Sequence, residues 1–139
     1  MSFDPTKHTL IGTSSNAKFY ELDEEVLVVV PDDGSHDDGE SAAESIRVQV
    51  EYLREKNRRS GVVVLMDSVL NQNAGARAVY RDHPDKNHQA CFALVGGTPF
   101  SRAVCSIFVT LSPPGAPTRV FGDFNEAVAW ARSMARNHG

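Results

Sequence analysis

The sequence predicts a single α/β domain on a mostly parallel five-stranded sheet, one strand of which is the antiparallel partner in a hairpin. Its element order is β-β-α-β-α-β-α-β-α, with four helices. Three observations predict it. First, Val26-Leu27-Val28-Val29-Val30, Val62-Val63-Val64-Leu65-Met66 and Ala90-Cys91-Phe92-Ala93-Leu94-Val95 are apolar at consecutive positions. Alternate apolar positions mark a half-buried strand, whereas consecutive ones mark a strand covered on both faces. Second, helical stripes lie between these runs, the arrangement that produces strand–helix–strand crossovers and parallel neighbours. Third, 139 residues with 41% hydrophobic and 23% charged side chains suit one globular domain.

The elements follow in order. Residues 1–16 are polar, with Pro5, Gly12 and Thr13-Ser14-Ser15-Asn16, and read as an irregular lead-in with a short extended piece at Thr9-Leu10-Ile11. The domain proper is expected over 17–136. It opens with Ala17 to Leu22, then Asp23-Glu24, then the run from Glu25 to Val30. Two strands so close together can pair only as an antiparallel hairpin. A helix is predicted from Glu40 to Asn57, with Ala43, Ile46, Val50 and Leu53 as its buried stripe. Acids at its start and bases at its end suit the helix dipole. A shorter helix over 73–82 buries Ala76, Val79 and Tyr80 before His83-Pro84 stops it. The third helix opens on Thr98-Pro99, a capping hydroxyl followed by proline at the first helical position. Its predicted buried stripe is Phe100, Ala103, Val104, Ile107, Phe108 and Leu111, with Pro113-Pro114-Gly115 as its stop. Thr118-Arg119-Val120-Phe121 reads as the fifth strand, nearer an edge. The last helix begins at Asp123, with Glu126 three residues on, and buries Phe124, Ala127, Val128, Ala131 and Met134.

Composition narrows the function. Cys91 and Cys105 lie in separate apolar runs, which excludes a disulfide scaffold and a cysteine zinc site within one subunit. A formal charge of −4 disfavours nonspecific nucleic-acid binding. The Arg54–Arg59 cluster sits at a helix end, where bases are expected electrostatically, and no aromatic platform accompanies it. No apolar run reaches membrane-span or signal-peptide length, so the expectation is a cytoplasmic protein without a membrane span.

Three local motifs carry a resemblance. Ser101-Arg102 is followed by an apolar helix, a proline-rich turn, Pro117-Thr118-Arg119-Val120-Phe121, and Glu126-Ala127-Val128-Ala129-Trp130. Ala76-Arg77 with Tyr80 reads as A-R-x-x-Y. In this series the chain resembles the STAS superfamily of sulfate-transporter and anti-sigma-factor-antagonist domains, and more closely the sporulation antagonist-like bacterial proteins. The resemblance spans about residues 17–134. It implies a non-catalytic domain that binds a protein partner or a small ligand, with no cofactor. Phosphorylation-switched members carry D-S-S-G in the loop after the third strand. Here the matching residues are Gln72-Asn73-Ala74-Gly75, so Asn73 stands at the phosphoacceptor position and cannot take a phosphoryl group.

Ligands of parallel sheets gather at the carboxyl ends of the strands. Those ends supply Asp32 and Asp33, Asp67 and Ser68, Gly96-Gly97-Thr98, and Gly122-Asp123. Gly96, Gly97 and Thr98, with Arg102 one turn into the helix, form a candidate anion site. Asp32, Asp33 and Asp67 form the alternative, a metal-dependent enzyme or phosphoacceptor site. Such a site also calls for a lysine after the last strand, where this chain has Gly122-Asp123. His83 and His88 lack ordinary metal-ligand spacing. Cys105 and Val109 lie off the core stripe of the third helix, which is apolar nearly all round. They are the candidate interface residues, with a homodimer as the simplest assembly. A carrier of a small apolar or acyl ligand is the remaining alternative.

Overall fold

The chain joins the sheet earlier than its apolar pattern predicts. The computed structural model describes residues 3–111 and 115–137, the side chains of Phe108, Thr110 and Leu111 excepted. The expected burial of Phe108 and Leu111 and the stop at Pro113-Pro114 therefore lie outside the described residues. Thr9–Thr13 (β1) pairs antiparallel with Ala17–Asp23 (β2), which pairs antiparallel with Val26–Pro31 (β3). The main sheet thus has six strands, not five, and the lead-in contributes its edge. As an edge strand with its side chains exposed or half exposed, β1 carries no apolar alternation to announce it.

After β3 come a three-residue strand Ser35–Asp37 (β4) and the helix Gly39–Lys56 (α1). Next are Ser60–Leu65 (β5), a short strand Val69–Gln72 (β6) and the helix Ala74–Asp82 (α2). Gln89–Val95 (β7), Pro99–Leu111 (α3), Thr118–Phe121 (β8) and Phe124–Arg136 (α4) complete the order. The sheet order is β1-β2-β3-β5-β7-β8, with every pairing from β3 to β8 parallel. β4 and β6 pair separately as a small parallel ribbon that the sequence did not announce.

Each crossover steps the same way along the sheet, so α1, α2 and α3 share one face and α4 takes the other. Val62 and Val63, adjacent in β5, point into the two different layers. One layer gathers Phe19, Val29, Phe92 and Leu94 with Ile46 and Val50 of α1. The opposite layer gathers Val28, Val63, Cys91 and Ala93 with Phe124, Ala127, Val128 and Ala131 of α4. Along most of their length the central strands are therefore covered on both faces, as their consecutive apolar residues predict: Val26 to Val29, Val62 and Val63 are each buried, whereas Val30, Val64 and Leu65, nearer the carboxyl ends, are half-buried.

Two helices differ in which side faces inward. In α1 the buried alanine is Ala42, and Ala43 is exposed. In α3 the difference is larger. Ser101 and Cys105 are fully buried and Val109 packs against the core, whereas Phe100, Ala103 and Ile107 are exposed. The predicted stripe is out of phase by a large rotation. A helix apolar nearly all round offers no periodicity to choose a phase, so its capping contacts decide. Thr98 Oγ1 accepts from Ser101 N at 3.0 Å, and Ser101 Oγ donates to Asp67 at 2.7 Å, which turns Ser101 and Cys105 toward the sheet.

Candidate functional site

Between the sheet and the α1–α2 pair lies a cavity of about 50 Å³. That is about a third of the ~150 Å³ apolar cavity that takes a benzene. The floor is apolar: Val29 of β3, Val64 of β5, Met66, Val69 of β6, and Phe92 and Leu94 of β7. These residues are here because β3, β5 and β7 are parallel neighbours whose same-face side chains stand in one row.

The rim is polar and partly exposed, made by Asn16, Asp37, Gln72 and Tyr80. Asp37 is the hub. Its Oδ1 accepts from Ser41 Oγ at 2.5 Å and from Asn16 Nδ2 at 3.4 Å. Its Oδ2 accepts from Tyr80 O–H at 2.8 Å and from Gln72 Nε2 at 3.4 Å. The main chain of Asp37 also accepts from Asn73 N at 3.0 Å, tying the rim to the start of α2. Burial pushes the Tyr80 phenol well above its ordinary value, and the neighbouring Asp37 charge adds to the rise. Gln72 Oε1 is buried with no partner among the described residues. A buried polar atom left unpaired costs about 1–3 kcal/mol, so it marks a place where a bound donor is favoured.

A second polar chain runs along the inner wall. Gln49, which lines the cavity, donates to Ser45 Oγ at 3.1 Å and accepts from Gln89 Nε2 at 2.9 Å. Gln89 in turn accepts from Asp85 N at 3.0 Å. Gln49 is 2% exposed and Gln89 is fully buried, so their amides are satisfied by each other and by nothing from solvent.

The candidate anion turn sits elsewhere, at the carboxyl end of β7. Gly97 N donates to Asp67 Oδ1 at 2.8 Å, and Thr98 N to Ser101 Oγ at 3.2 Å. Arg102 Nε donates to the Gly96 carbonyl at 3.1 Å. The anion this turn holds is therefore the chain's own carboxylate. The Ser101 hydroxyl draws the Asp67 carboxyl below the ordinary range against the opposing cost of burial, with smaller help from the Gly97 and Thr98 amides. A Cβ at Gly97 would lie 3.1 Å from Asp67 Oδ2, so glycine is what lets this carboxylate approach the turn.

The other sequence candidates are dispersed. Asp33 accepts from Ser68 Oγ at 3.0 Å, Asp67 serves the turn just described, and no group of three metal-binding side chains assembles among the described residues. The metal or phosphoacceptor set of Asp32, Asp33 and Asp67 is thus not brought together. Asn73 caps α2, its Oδ1 accepting from Ala76 N at 3.0 Å. His88 stands 3.0 Å from Asp85, which also binds Arg54. The two interface candidates face inward, and burial raises the Cys105 thiol to about 11, with Asp67 adding to the rise, and the Cys91 thiol to about 12. No helix among the described residues is long and apolar enough to cross a membrane.

The cavity residues were missed because each has an ordinary reading in sequence. Asp37 reads as one acid among several before a helix, and Asn16 as part of a polar loop. One signal was present: Gln49 falls between Ile46 and Val50 on the buried stripe of α1, where a polar residue needs a partner.

The chain has a SpoIIAA-like fold, which is the STAS-like fold. A crystal structure of an uncharacterized protein from the DUF3478 family with a SpoIIAA-like fold, from Shewanella loihica PV-4, matches it with a TM-score of 0.54 at 12% identity. The match covers 86% of this chain and 99% of that one. At that identity the likeness is one of fold. The chain itself belongs to the family described as domain of unknown function DUF7793, which matches residues 20–135. No curated protein matches it.

Proposed function

We propose that this chain is a non-catalytic binding module that takes a small, mostly apolar ligand into the cavity between the sheet and α1–α2. The observation that carries the reading is the lining: an apolar floor of six side chains with a few convergent polar groups at one end, the composition typical of ligand pockets. Its size suits a short ligand and not a long acyl chain. The STAS-like fold is consistent with recognition in place of chemistry, and Asp32, Asp33 and Asp67 form no metal-binding group among the described residues, which favours this reading over the metal site. The test is a titration of ¹⁵N-labelled protein with n-butanol. Shifts confined to Val29, Val64, Val69, Phe92, Leu94 and their neighbours support the reading, and an unchanged or diffusely changed spectrum overturns it.

A second reading, contact with another protein or a second copy of the chain, is favoured by one observation. Phe100 is 55% exposed and Ile107 49% exposed, with Ala103 between them on the same side of α3. Sedimentation velocity over a range of concentrations tests the homodimer. A wild-type dimer lost in Ile107→Asp supports it, and a wild-type monomer throughout removes it.

A further inference from the structure

The cavity's polar end has a definite sign. The Asp37 side chain accepts from neutral donors: the Ser41 and Tyr80 hydroxyls and the Asn16 and Gln72 amides. Asp37 forms no ion pair among the described residues. Each carboxylate oxygen thus holds one short bond and one long one at 3.4 Å, and the long ones are weak enough to yield to a better donor. Beside it, Gln72 presents a buried carbonyl oxygen with nothing to accept. The rim therefore lacks positive charge on its acid and lacks a donor for its amide. A group carrying several N–H donors and a positive charge supplies both, and a carboxylate or phosphate supplies neither. Arg77 donates from Nη1 to the Gln72 main-chain carbonyl at 2.7 Å and makes no ion pair with Asp37, while its buried Nε has no partner among the described residues.

We propose that the cavity takes a short primary ammonium compound, its alkyl tail against Val64, Val69 and Leu94 and its charged nitrogen between Asp37 and Gln72. This rests on the reading of the cavity as a ligand site and adds the chemical class of the ligand. The small volume, about 50 Å³, admits only a short alkyl tail, with the nitrogen and the adjoining carbons at the open rim. The mouth is where the nitrogen belongs, because Asp37 and Gln72 are half-buried while Val69 and Leu94 are buried.

The experiment is a parallel titration of ¹⁵N-labelled protein with n-butylammonium, n-butanol and butyrate at constant ionic strength, followed through the same amide signals. n-Butylammonium is expected to bind at least about tenfold more tightly than n-butanol. Butyrate is expected to bind more weakly than either. Asp37→Asn, which keeps the shape of the side chain, is expected to remove most of the preference for ammonium over butanol. If Asp37→Asn loses its dispersed spectrum, the three-ligand series on the wild-type protein decides alone. Butanol binding without tighter ammonium binding overturns the ammonium assignment and leaves the cavity reading standing. Absence of all three from the cavity signals overturns both.

Discussion

The two faces of the sheet are closed in different ways. A single helix, α4, covers one face with Phe124, Ala127, Val128 and Ala131, and the strand residues beneath it are Val28, Val63, Cys91 and Ala93. Three helices cover the other face, yet that layer contains the buried amides of Gln49 and Gln89, the buried hydroxyls of Ser45 and Ser101, and the cavity. Small residues let α4 sit flush: a Cβ at Gly61 would lie 2.4 Å from the Ala131 carbonyl oxygen. The α1–α2 side meets the sheet through larger side chains, Phe19, Phe92 and Tyr80, and leaves space between them. Polar groups placed in a buried layer are poor choices for stability alone. The difference puts the tight apolar packing on the α4 face, and the buried polar groups and the proposed ligand cavity on the α1–α2 face.

The largest effect that tests this division is Phe124→Ala. Its ring is 8% exposed and lies 5.9 Å from Phe3, so truncation leaves a cavity in a layer with no slack. A loss of about 3–5 kcal/mol is expected in urea denaturation, as for other buried aromatic truncations. A loss under about 1 kcal/mol would mean the α4 layer relaxes freely, and the contrast between faces would fail. Gly61→Ala comes next. The obstructing atoms belong to the α4 backbone, which cannot swing aside like a side chain, so a loss of about 1–3 kcal/mol is expected by the same measurement.

These two sites also show what sequence makes legible. The consecutive valines of β3 and β5 can be read because burial on both faces leaves a one-dimensional pattern. The α4 stripe can be read because Asn125, Glu126 and Ala129 on its outer side contrast with Phe124, Ala127 and Val128 within. The phase of α3 cannot be read that way, since Phe100, Ala103 and Ile107 are as apolar as Val104, Cys105 and Val109. What sets it is the bond from Ser101 to Asp67, 34 residues earlier in the chain. The cavity is hidden for the same reason. Asn16, Asp37, Gln72 and Tyr80 converge only after β2, β4, β6 and α2 have taken their places, and no local spacing encodes that convergence.

The Asp67–Ser101 link tests how α3 is held to the face it shares with α1 and α2. Asp67 is depressed in the folded state, so it contributes stability above its unfolded value near about 3.9, and that contribution disappears as pH falls through the lower folded value. Asp67→Asn should lower the urea midpoint at neutral pH and match the wild type once both are measured in acid below that range. The carboxylate is exposed, which keeps the expected difference under about 1 kcal/mol. A gap that persists unchanged in acid would place the effect in packing and not in charge.

The smallest effect has the opposite sign. Val64 lines the cavity and is only half-buried, so Val64→Ile adds one methylene where there is space for it. In a filled core the same addition costs about 1–3 kcal/mol. Here the methylene leaves water without displacing a neighbour, and a gain of up to about 0.8 kcal/mol is expected. The variant should also bind n-butanol more weakly, because the added group and the alkyl tail compete for one volume. Greater stability together with weaker binding is the signature of a cavity kept open at a cost in stability. If Val64→Ile destabilises the chain as much as Gly61→Ala does, the two faces are packed alike, and the space beneath α1 and α2 is not available to any ligand.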